Sequence, residues 1–211
     1  EANVVSATDG IGISAFNNGA GSTSSTATGA VTGYGSYGIG IYGYNAASAK
    51  DLTIEARGNV TGDTNGILVS NKGTNLTIDV SNVSGGSNGV FALNNGSEAT
   101  LIKASGLVNG SGGDGIYAFN GTSASNIVID IVDAVGDGEN GVKALNTGIG
   151  GYTYVKSTGT VTGAYDGINA ANRAGTTDLT IVANNVEGGV NGIFAENLGT
   201  GATIVTATGL V

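Results

Sequence analysis

The sequence predicts an all-β fold: a right-handed parallel β-helix, or solenoid, of about eight coils of roughly 26 residues, with three short strands per coil. Three observations predict it. A motif recurs eight times along the chain, a second motif recurs between its copies, and the composition suits tightly stacked strands and nothing helical.

The first motif reads glycine, Ile or Val, any residue, a small residue, any residue, asparagine. It occurs as Gly12-Ile13-Ser14-Ala15-Phe16-Asn17 and Gly40-Ile41-Tyr42-Gly43-Tyr44-Asn45. It returns from Gly66 to Asn71, Gly89 to Asn94, Gly115 to Asn120, Gly141 to Asn146, Gly167 to Asn172 and Gly192 to Asn197. The intervals between its glycines are 28, 26, 23, 26, 26, 26 and 25 residues. So steady a period identifies a stacked repeat.

Each coil opens on a strand such as Leu52-Thr53-Ile54-Glu55-Ala56, Leu76-Thr77-Ile78-Asp79-Val80 or Leu179-Thr180-Ile181-Val182-Ala183. Apolar residues alternate there with polar ones, the period of a half-buried strand. A lone valine follows after five or six residues and marks a short second strand: Val60, Val83, Val108, Val135, Val161, Val186 and Val211. The glycine-to-asparagine motif is the third strand. Asn-Gly pairs at Asn65-Gly66, Asn88-Gly89, Asn140-Gly141 and Asn191-Gly192 also suit hairpins. A hairpin meander explains no 26-residue repeat, whereas a parallel coil stacks every motif on its own copy. Parallel crossovers favour the right-handed path. At ~4.8 Å per coil the rod is expected to be about 40 Å long.

Composition then acquires a cause. Glycine fills 40 of 211 positions, far above its usual ~7%, and is expected at corners needing φ > 0. Proline, which removes a ladder donor, is absent. The column from Asn17 through Asn94 to Asn197 is expected to bond amide to amide along the axis.

Facing follows from the period of two. Ile13, Ile41, Ile67, Val90, Ile116, Val142, Ile168 and Ile193 form the inward column of the third strand, so the intervening positions point to solvent. Lys143 and Glu196 among them support this, since neither fits inside a narrow tube. The outward face then carries Tyr42, Tyr44, Phe91, Leu93, Tyr117, Phe119 and Leu145, an apolar patch of the kind that marks an interface. These seven are the candidate binding residues. Outward on the first strand stand Glu55, Asp79, Lys103, Asp130 and Lys156, which read as a solvated charge ladder.

Several function classes are excluded. Without Cys or His there is no disulfide, thiolate zinc site or Ser-His-Asp triad. A net charge of −9 with seven Lys and Arg offers no track for nucleic acid. No apolar run approaches the ~20 residues of a membrane span, so direct membrane insertion is not expected. No glycine motif opens a helix, which leaves no nucleotide cradle. Carboxylates are sparse. Asp114, Asp137 and Glu139 are the group that a calcium ion could use at a turn, although turn acids more often hydrogen-bond their own backbone. We expect no cofactor, no metal and no catalytic residue.

Units such as Gly113-Asp114-Gly115-Ile116-Tyr117-Ala118-Phe119-Asn120 and Val190-Asn191-Gly192-Ile193-Phe194-Ala195-Glu196-Asn197 resemble those of autotransporter passengers, the exported parts of type V secretion proteins. The likeness covers the whole chain and identifies a scaffold. It transfers no functional residue. The resemblance implies a right-handed β-helix displayed at, or released from, a bacterial cell surface. Residues 1–211 are then a single β-helix domain and a piece of a longer passenger. The roles it implies are adhesion, self-association with like passengers, or contact with a host-cell surface protein or glycan, without enzymatic activity. Two alternatives stand beside it: a carbohydrate-active β-helix lyase or hydrolase, and a secreted effector that binds a host-cell receptor.

Overall fold

The computed structural model describes residues 4–211, which form 22 strands and no helix. Every strand pairing is parallel, and each motif lies on its own copy in the next coil. The molecule is a β-solenoid. Among the described residues no helix is long and apolar enough to cross a membrane.

The eight third strands, from Ile13–Asn17 to Asn191–Asn197, make one sheet. Its register places Ile41 on Ile13, Ile67 on Ile41, Val90 on Ile67 and Ile116 on Val90, as expected. The first and second strands share a 14-stranded sheet. There are fewer than sixteen because two coils run both strands together, as Thr100–Gly110 and Ile127–Gly136. The register between these two shifts between Ala104 and Leu107. Ser105 and Gly106 there oppose Val132 alone, a β-bulge that absorbs one extra residue.

The tube is filled by the inward columns. Ile54, Ile78, Ile102, Ile129 and Ile181 of the first strand meet Ile41, Ile67, Ile116 and Ile168 of the third, all fully buried. The five third strands from Ile41–Asn45 to Val142–Asn146 alternate buried and half-buried throughout, whereas Ala171 in the next is buried at an outward position.

Three expectations are corrected. Val135 is not in the inward valine column. Val108 pairs with Ala134, Ala134 with Val161, and Val135 with Asn109. Register here is set by the glycine two places on: Gly110, Gly136 and Gly163 stack. A Cβ on Gly136 would lie 2.0 Å from the Asn140 carbonyl oxygen, so no larger residue enters that column.

The abundance of glycine has that same cause, and not the expected φ > 0 corners. Among the described residues positive φ occurs at Gly10, Gly35, Gly150 and Gly175 alone. At most of the others, Gly19 and Gly21 excepted, the chain runs so close to its neighbours that a side chain has no room. In the motif glycine column, a Cβ on Gly89 would sit 2.6 Å from the oxygen of Gly115 in the next coil.

The asparagine column works differently as well. Asn71 donates to the Asn94 amide oxygen at 3.0 Å along the axis. Its counterparts mainly close the turn into the next first strand. Asn45 donates to the Lys50 carbonyl (2.9 Å), Asn120 to that of Asn126 (2.9 Å) and Asn172 to that of Asp178 (2.8 Å). Their Oδ1 atoms accept from inside the tube, where Thr100 donates to Asn120 and Thr153 to Asn172, both at 2.6 Å. Six of these asparagines, from Asn45 to Asn172, are fully buried. An amide suits the place because it both donates and accepts, and among the described residues each buried side-chain polar atom finds its partner.

Candidate binding face on the third sheet

Inward packing of Ile, Val and Ala on the third strand forces the alternate positions outward. Register then brings Tyr42, Leu68, Phe91, Tyr117 and Lys143 into one column on successive coils. The second column runs Phe16, Tyr44, Ser70, Leu93, Phe119 and Leu145. All seven candidate residues therefore stand on one outward face. Leu93, Phe119 and Leu145 are contiguous, while Ser70 separates Tyr44 from them.

The rings are half-buried rather than fully exposed, because parallel in-register strands hold them against one another. Phe91 and Tyr117 stack with centroids 4.8 Å apart and planes 11° from parallel. Phe16 and Tyr44 stack at 4.5 Å and 15°. Cations close both groups: Lys143 lies 5.5 Å from the Tyr117 centroid and Lys72 5.9 Å from that of Tyr44. Each such contact is worth about 0.5–1 kcal/mol at an exposed site. Phe16 (58% exposed) and Leu68 extend the face beyond the seven named residues. Their place in the same two columns was the signal for them.

The charged column on the first sheet is partly as expected. Lys156 pairs with Asp130 at 3.3 Å. Asp79 instead takes Arg57, which lies outside the column, through two bonds of 2.8 and 3.1 Å. That guanidinium holds the Asp79 carboxyl below the usual carboxylate range, burial opposing it.

Asp114, Asp137 and Glu139 are not brought together. Asp114 is buried and its Oδ1 accepts from the backbone N–H (3.0 Å) and the amide (2.7 Å) of Asn140, whereas Asp137 and Glu139 are exposed. Among the described residues no group of three acidic side chains is placed to hold a metal ion. Burial pushes the Asp114 carboxyl above its ordinary value, against the two bonds from Asn140.

Asp114 belongs instead to a ladder that the Asn-Gly and Asp-Gly pairs form, one residue ahead of the motif glycine in the last six coils. Asn88 donates to Asn65 (3.0 Å), the Asp114 N–H to Asn88 (3.0 Å), Asn140 to Asp114, and Asn191 to Asp166 (2.8 Å). The pairs that suggested hairpins are thus axial rungs. Their common position one residue before the motif was the available signal.

What this arrangement offers is a rigid, gently ridged surface of rings and aliphatic side chains, with cations beside it. No family model, no curated protein and no solved structure matches the chain.

Proposed function

We propose that the chain is a non-enzymatic binding rod, an adhesin-type passenger displayed at or released from a bacterial surface. It engages a host-cell surface protein or glycan, or like passengers, through the third-sheet face. The supporting observation is the unbroken outward column Tyr42, Leu68, Phe91 and Tyr117. Stacked rings lose little conformational freedom on binding, and aromatic residues are favoured at interface centres. Fold alone assigns no activity, so the reading rests on this face and on the resemblance of the repeats. The test is capture: the immobilised chain is expected to retain a specific ligand from host-cell surface extracts or from its own kind. Loss of that capture in Phe91→Ser/Phe119→Ser supports the reading, and unchanged capture overturns it.

A carbohydrate-active enzyme is the second reading. It is favoured by a depression of ≈260 Å³ on the first sheet that holds Asp79, Lys103 and Asp130. Both carboxylates there already face a cation, Asp79 with Arg57 and Asp130 with Lys156. An acid catalyst needs a carboxyl that keeps its proton near neutrality, and Arg57 drives Asp79 the other way. Release of reducing ends from neutral and acidic polysaccharides would establish the enzyme; no release is expected.

A further inference from the structure

The turn into each first strand carries one residue that stacks on its counterpart in the next coil: Asp51, Asn75, Ala99, Asn126, Tyr152 and Asp178. The backbone bonds Leu52 N–H to Asn75 (2.9 Å), Leu76 N–H to Ala99 (2.9 Å) and Thr100 N–H to Asn126 (2.8 Å) define the order. Where the residue is Asp or Asn, its Oδ1 can accept the N–H of its upper neighbour. Asp51 does so from Asn75 (3.2 Å) and Asn126 from Tyr152 (3.0 Å). Ala99 interrupts the run. It offers Asn126 no side-chain oxygen, and its short side chain leaves a notch of ≈370 Å³ between Asn75 and Asn126.

The volume lies at the small end of ligand sites, which run about 300–1,000 Å³. Its walls are chemically mixed: Asp51, Asn75 and Thr77 on one side, Leu101 beneath, Asn126 and Tyr152 beyond. Oδ1 of Asp51 is taken by Thr74 (2.6 Å) and by the backbone and side chain of Asn75, which leaves Oδ2 as the acceptor it can offer. Asn126 has given its oxygen to Tyr152 and keeps its amide nitrogen as a donor. The Tyr152 ring, 40% exposed, supplies a flat apolar surface at the rim.

Planar acceptors and donors around an apolar floor, beside one partly exposed ring, match a molecule with hydroxyls on its rim and C–H groups on its faces. A chain of net charge −9 disfavours an anionic ligand, and the notch holds no cation to offset that. We propose that the notch at Ala99 is a subsite for one sugar ring of a neutral glycan. It lies on a different sheet from the ring face, so the two readings fail separately.

Maltotriose, cellotriose and chitotriose, each titrated against the whole chain by calorimetry and saturation-transfer NMR, test it. At least one is expected to bind with a dissociation constant of about 1 mM or tighter. Ala99→Asn fills the notch with the residue found in the coils on both sides, so the fold is retained; it is expected to weaken binding at least tenfold. Tyr152→Ala, at a partly exposed position, is expected to do the same. Sugar binding that Phe91→Ser/Phe119→Ser abolishes and Ala99→Asn leaves intact would place the sugar on the ring face and overturn the proposal. Failure of all three sugars to bind at about 10 mM overturns the proposal, as does undiminished binding by folded Ala99→Asn or Tyr152→Ala.

Discussion

Phe91 and Tyr117 are 26 residues apart in the chain and face each other in register, their ring centroids 4.8 Å apart. The solenoid period alone puts them there. Two rings that shield each other in this way present one continuous surface instead of two isolated side chains. This bears on how much of their burial the fold already satisfies and how much a partner could add.

Replacing Phe91 and Phe119 together by Ser removes this stack and its neighbour in the second column. The fold should survive, because the inward residues Val90, Ala92, Ile116 and Ala118 are untouched and fully buried. Loss of the ring contact costs about 0.5–1.5 kcal/mol. For a chain of this size that lowers the melting temperature by only a few degrees, at roughly 2–4 °C per kcal/mol. Binding or self-association should weaken about tenfold or more, equivalent to ~1.4 kcal/mol. Far-UV circular dichroism, melting and sedimentation check the three parts. Unfolding of the double variant would mean that the columns are structural.

How much of this was legible differs from column to column. The register of Ile41, Ile67, Val90 and Ile116 could be read directly, since a strict repeat leaves a stacked chain one way to align. The outward set followed from it. What escaped was anything decided by distance between backbones. Gly136 is glycine because the Asn140 carbonyl is 2.0 Å from where its Cβ would be, and no sequence period reveals that approach. The same blindness placed Val135 in the core in place of Ala134. The role of Asn120 escaped for a related reason: position predicts a stack, but only the turn geometry shows that its amide closes on Asn126.

Asp114 gives a pH prediction. Its carboxyl is buried, and its pKa is raised above the ordinary value by desolvation. A group raised in the folded state contributes stability below its unfolded pKa of about 3.9 and loses it as pH rises through the folded value. At pH 7 the ionised, buried carboxylate therefore weakens the fold. Asp114→Asn supplies the residue that Asn88 and Asn140 carry on either side, with an oxygen for Asn140 and an amide to donate to Asn88. The variant should melt higher than the parent at pH 7, and the gap should close as pH falls toward 4. A lower melting temperature for the variant at pH 7 would refute the burial argument. Asp51 has the opposite sign. The Thr74 hydroxyl foremost lowers its pKa, so its contribution is present above about pH 4 and fades on further acidification. Asp51→Asn should accordingly flatten the acid limb of the melting profile.

Asn120 tests the turn closure. Its amide donates to the carbonyls of Ser125 (3.2 Å) and Asn126 (2.9 Å), and its oxygen accepts from Thr100. Asn120→Ala strands these groups in a fully buried place. Each unsatisfied buried group costs about 1–3 kcal/mol, and partial relaxation should hold the total near 3 kcal/mol. The melting temperature should drop by about 6–12 °C. The same substitution at exposed Asn95 is the control and should shift it by a degree or so.

Ile131 and Ala134 flank one corner of the same coil, and their sizes are exchanged relative to the neighbouring coils. Where Ile131 ends the first-strand inward column, the adjacent coils have Ala104 and Ser157. Where Ala134 begins the second-strand column, they have Val108 and Val161. All six are buried, and the larger Ile131 is expected to fill space that a valine at 134 would otherwise take. Ile131→Ala alone should cost about 2–5 kcal/mol through the cavity it leaves. Ala134→Val alone should overpack the corner and cost about 1–3 kcal/mol. Made together they restore the arrangement of the coils on either side, and the double variant should be more stable than the sum of the singles by at least ~1 kcal/mol. Urea unfolding of the four proteins measures that coupling directly. Strict additivity would mean that the two side chains do not share a space and that the exchange of sizes is coincidental.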